Sequence, residues 1–216
     1  MPLIAQDWSV VILGRWNRAI LTPSGIARRI FQLEEEIPVE VFVAIDALAP
    51  PQVRHERMIV VAASDRLIIY PEDQTFPRLA QAMELGRRGL DSLPETPLAA
   101  VGINVKYKCE EPLDVLQAIT RSHDWDNRLA ENDLIIANRG ISRALSWNGG
   151  TVSLMIAEEA DASFDIQFNF ERRSTALADH REWLAIGVEI IEQQVRRILE
   201  NCIQLQPGDI PNVAEA

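Results

Sequence analysis

The chain has 216 residues, 47% hydrophobic and 25% charged, which is material for a sizeable core and excludes a disordered polyampholyte. Its formal net charge of −11 sets up a field that repels phosphate backbones and anionic bilayers, so nucleic-acid binding is not expected. Apolar runs such as Leu67-Ile68-Ile69-Tyr70 are too short to span a membrane, and Met1–Asp7 lacks the pattern of a secretory signal, so the expected setting is cytoplasmic.

Elements follow one another with clear punctuation. A first strand from about residue 8 leads to Thr22-Pro23, an N-cap with proline at the first helical position, which opens a helix through Ile26, Ile30 and Phe31. Val39, Val41, Val43 and Ile45 alternate in a β-branched strand. Met58–Ala63 and Arg66–Tyr70 read as two more strands around a tight turn at Ser64-Asp65. Thr75-Phe76-Pro77 starts a second helix carrying Leu79, Met83 and Leu90, with Gly86 and Gly89 weakening its middle.

The proline-rich Leu93–Pro97 is a stiff linker. Beyond it, Ala99, Val101, Ile103, Val105, Tyr107 and Cys109 alternate with Asn104, Lys106 and Lys108 in a strand with one dry and one wet face. Glu111-Pro112 opens a third helix through Val115, Leu116 and Ile119. Asn148-Gly149 between apolar alternating runs is a strong hairpin signal. Phe164, Ile166, Phe168 and Phe170 oppose Asp165, Gln167, Asn169 and Glu171 in a further strand. A final helix carries one apolar stripe from Leu184 through Ile191 to Cys202. Residues 204–216, with Pro207-Gly208 and Pro211, read as a flexible tail.

The expected fold is α+β: two similar βαβββα halves, residues 1–93 and 98–203, giving a mostly antiparallel sheet with helices packed on one face. Aligning Pro23 with Pro112 also places Ile26 on Val115 and Ile30 on Ile119, which points to an internal duplication.

Thr96-Pro97-Leu98-Ala99-Ala100-Val101-Gly102-Ile103-Asn104, together with Trp16-Asn17 ahead of Thr22-Pro23, resembles a loosely defined set of uncharacterised bacterial proteins that share a Thr-Pro…Gly-Ile-Asn strand in mid-chain. That resemblance implies a bacterial, cytoplasmic setting and no particular chemistry.

Motifs for catalysis are sparse. Two distant cysteines, Cys109 and Cys202, and three scattered histidines do not make a zinc pattern, so no metal or cofactor is expected. Gly86-Arg87-Arg88-Gly89 lacks the strand, glycines and lysine of a phosphate loop. The Arg pairs, including Arg28-Arg29 and Arg196-Arg197, mostly fall toward helix C-termini, where they offset the dipole. The most chemical stretch is His123-Asp124-Trp125-Asp126-Asn127, expected as a loop, in which His123, Asp124 and Asp126 would serve acid–base or metal chemistry on a small polar substrate. Asp179-His180 reads as the charged opening of the last helix.

The leading candidate is a surface instead. Asn104, Lys106, Asp165, Gln167 and Asn169 share one side if their strands share a sheet, offering amides and both charges to a protein partner or a second copy. A non-enzymatic binding role, by this face or by a strand edge, is therefore the expectation, and the His123 enzyme its alternative.

Overall fold

The computed structural model describes residues 3–34, 37–43 and 50–205. Its strands are β1 (Ile4–Gly14), β2 (Glu40–Phe42), β3 (Gln52–His55), β4 (Met58–Ala62), β5 (Arg66–Pro71), β6 (Leu98–Cys109), β7 (Arg139–Trp147), β8 (Gly150–Glu158) and β9 (Phe164–Arg173). They form one sheet in the order β2-β3-β4-β5-β1-β6-β9-β8-β7, every neighbour antiparallel. The helices are α1 (Pro23–Ile26), α2 (Phe76–Ser92), α3 (Asp114–Thr120), α4 (His123–Ala130), α5 (Leu177–Leu184) and α6 (Val188–Arg197). α1 and α6 run on into π-helical turns at Ala27–Phe31 and Ile198–Ile203. The α+β class and the antiparallel sheet are as the alternation requires.

The halves 1–93 and 98–203 meet where β1 pairs with β6, so the sheet is continuous across the linker. Outward from this seam each half adds its last strand first: β5, β4, β3 on one side and β9, β8, β7 on the other. The element order nevertheless departs from two copies of βαβββα. The first half has a fourth short strand after its helix, and the second divides both helical segments in two. Ile45, expected in the strand that becomes β2, lies outside the described residues, as do residues 206–216 of the expected tail. Leu205, also assigned to that tail, is buried, and its amide donates to Leu199 O at 3.0 Å.

The core lies between one sheet face and the helices. Val10, Ile12, Leu67, Ile69, Ile103, Val105, Phe168 and Phe170 point to it and are wholly buried. Thr75 caps α2 by accepting from the Arg78 amide. The glycines in α2 have a packing role. A β-carbon at Gly86 would stand 3.1 Å from Leu184 and 3.4 Å from both Val10 and Ile12, and one at Gly89 would stand 3.0 Å from Leu67. They let α2 lie close on β1 and β5.

Three local expectations are corrected. The segment at His123 is helical, not a loop. His180 is buried inside α5, its Nε2 2.8 Å from Ser174 O, and the helix begins earlier, at Leu177. The single final helix breaks at Ala185–Gly187, and its wider π turn shifts the stripe so that Ile203 points inward and Cys202 is exposed.

Candidate functional site: the helix-free face of the sheet

Among the described residues, the helices pack on the face that bears Val10 and Phe168. The opposite face can be followed in register across all nine strands: Phe42, Gln52, Val61, Ile68, Val11, Gly102, Glu171, Thr151 and Ser146. Most of these are exposed or half-buried, whereas on the inner strands β4, β5, β1 and β6 their neighbours on the helix side are buried.

The row changes character at Gly102. On the β6–β9 side, Asn104 stands opposite Asn169, Lys106 opposite Gln167, and Lys108 opposite Asp165. The five expected surface residues therefore lie together on this face, all half-buried. Lys106 Nζ lies 2.7 Å from Asp165 Oδ2 and 3.9 Å from Asp7, which sits at a bulge in β1 with φ 54°. Gln6 donates to Asp165 at 3.3 Å, and Asn104 donates to the Ser9 hydroxyl at 3.2 Å. Ser163, and to a lesser extent Lys108, hold the Asp161 carboxyl below its usual range. The Asn169 amide oxygen is buried without a partner; a β-carbon on Gly102 would stand 2.9 Å from it. This half of the face is polar, and its lysines are paired with carboxylates.

The other half, which the sequence reading missed, is apolar: Val11 and Leu13 on β1, Ile59 and Val61 on β4, Ile68 and Tyr70 on β5, and Phe42 at the edge. Burial raises the pKa of the Tyr70 phenol, which donates to Gln52 at 3.1 Å. The nearby charges are already paired: Arg54 with Glu40 and Glu72, and Arg66 with Asp65. A signal was present in the sequence. Val10-Val11-Ile12-Leu13, Met58–Ala62 and Leu67–Tyr70 are unbroken apolar runs, the pattern of strands covered on both faces rather than one.

The alternative cluster does not converge in this way. Asp126 on α4 is ion-paired with Arg139 at 3.2 Å, and Asp124 is exposed on the same helix. The side chain of His123 lies outside the described residues. Among the described residues no group of three or more His, Cys, Asp or Glu is placed to hold a metal ion, and no helix is long and apolar enough to cross a membrane.

Compared with protein-family models the chain matches none, and no curated protein matches it.

Proposed function

We propose that this is a non-catalytic binding protein that associates with a second copy of itself through the helix-free face of its sheet. The observation that carries this reading is the unbroken apolar runs of β1, β4 and β5. Their sequence is that of strands covered on both sides, yet among the described residues helices cover one side only.

A second copy suits the surface for two physical reasons. The chain carries −11 charges, but on this face the charges are paired, so two copies meet without the repulsion that other surfaces would bring. Eight interstrand spacings of about 4.8 Å, with three and four residues on β2 and β3 and about five or six on the longer strands, give roughly 650 Å², against the ~800 Å² per partner of a stable interface. A two-fold axis running across the strands lays apolar on apolar and polar on polar. Lys106, Gln167 and Asn169 then fix the register while Val11, Ile68 and their neighbours supply the affinity.

Light scattering on the purified chain tests the reading. Twice 24.3 kDa at micromolar concentration supports it. A monomer up to high micromolar concentration refutes self-association.

A further inference from the structure

On the opposite side of the sheet, at the far end of the β3–β4 hairpin, a cavity of about 460 Å³ opens between the end of the first π turn, the hairpin and α2. Its floor is apolar: Phe31, Met58 and Leu85 are buried there, with Ala80 and Leu33 beside them. Its rim is polar: His55, Glu56, Gln81, Glu84 and Arg88. The size and the mixture of an apolar floor with a few convergent polar groups are those of a small-molecule site.

The hairpin that forms one wall is unusual. Its central residues, Glu56 and Arg57, have φ 46° and 65°, a geometry that ordinarily selects Asn and Gly. Non-glycine residues there carry strain that the surroundings must hold. Arg57 is tied to Asp73 at 2.5 Å, and its carbonyl accepts from the Glu72 amide at 2.9 Å. With the turn held in this way, the His55 ring stands edge-on to Phe31, centroids 5.5 Å apart, at the mouth of the cavity.

On the facing wall, Glu84 is neutralised by Arg87 and Arg88, each reaching it through Nε at 3.2 Å. The Arg88 bond uses Nε alone, so its terminal N–H groups remain to meet an acceptor. His55, whose Nε2 lies 3.8 Å from the exposed Glu56 carboxylate, supplies a second donor to the lining.

We propose that this cavity binds a small amphiphilic carboxylate, its apolar body on Phe31, Met58 and Leu85 and its carboxylate received by Arg88 and His55. Guanidinium and carboxylate are matched in geometry as well as in charge. The site is independent of the sheet face and does not rest on self-association.

Isothermal titration with decanoate below its micellar concentration tests this, with decanol and decyltrimethylammonium as head-group controls. Decanoate is expected to bind with a Kd below about 1 mM, and both controls at least about tenfold more weakly. Arg88→Met keeps the stem and removes the fork, and should weaken decanoate at least about tenfold. Ala80→Trp fills the cavity and should abolish binding, with both variants checked for unchanged thermal melting. No binding to the wild-type protein, equal binding to a folded Ala80→Trp, or equal binding of either control would overturn the proposal.

Discussion

Lys106 and Asp165 form a diagonal ion pair across β6 and β9, 2.7 Å from Nζ to Oδ2, although in register Lys106 faces Gln167 and Asp165 faces Lys108. The diagonal satisfies both Lys106 and Asp165 within the open face before any partner arrives. The lysine that reads in the sequence as a free contact is already engaged, and it serves orientation rather than attraction.

Breaking that pair should be mild. Both side chains keep some contact with water, at 23% and 16% exposure, and Asp165 retains Gln6. Lys106→Ala should cost about 1 kcal/mol, and a double-mutant cycle with Asp165→Ala should show a coupling of about 0.5–1 kcal/mol in denaturant melts. Strictly additive losses would mean that the two groups do not interact in solution.

The β7–β8 hairpin makes a sharper demand. Asn148 and Gly149 both have positive φ, as the turn requires. At the next residue a β-carbon would stand 2.5 Å from Glu171 O and 2.7 Å from the Trp183 ring. Gly150→Ala should therefore destabilise by about 1–3 kcal/mol through overpacking. On the same strand, exposed Met155→Ala should change stability by less than about 0.5 kcal/mol in the monomer. Equal effects would contradict the placement of Trp183 over the turn.

Ile191 is wholly buried on α6, where the sequence stripe put it. Ile191→Ala should cost about 2–5 kcal/mol from lost transfer energy and the cavity left behind. A loss under about 0.5 kcal/mol would place the residue at the surface.

The two thiols should differ in reactivity. Cys109 is buried with its sulfur 3.0 Å from Glu111 O, whereas Cys202 is exposed on the second π turn. An aromatic disulfide reagent should modify one thiol of the native chain quickly and the second only on unfolding. Fast modification of both would show that the end of β6 opens.

Period-two alternation made β6 and β9 legible, and with them the shared face of Asn104, Lys106, Gln167 and Asn169, because each strand has one dry and one wet side. Caps were equally plain at Thr22 and Thr75. The final helix misled because 3.6-residue periodicity carries no mark of a π turn, so Cys202 seemed to share a face with Ile198. His123–Asn127 looked like a loop because it is polar and short, yet it closes a helical turn against Arg139 through Asp126. Val11, Ile59 and Ile68 were visible only as apolar residues at both parities. Their meaning depends on which face the helices take, a tertiary fact that no local window holds. The cavity beside His55 depends likewise on Phe31 and Arg88, which are far from it in sequence.

The claim that the open face joins two copies is tested most directly by sedimentation equilibrium of the wild-type chain and of Ile68→Glu at matched micromolar concentrations. Ile68 lies mid-row on that face, half-buried and outside the core, so the charge should cost the folded monomer about 1–2 kcal/mol and leave it folded. The expected result is twice 24.3 kDa for the wild type and 24.3 kDa for the variant. A folded Ile68→Glu that remains dimeric, or a wild type that sediments as a monomer, would contradict it.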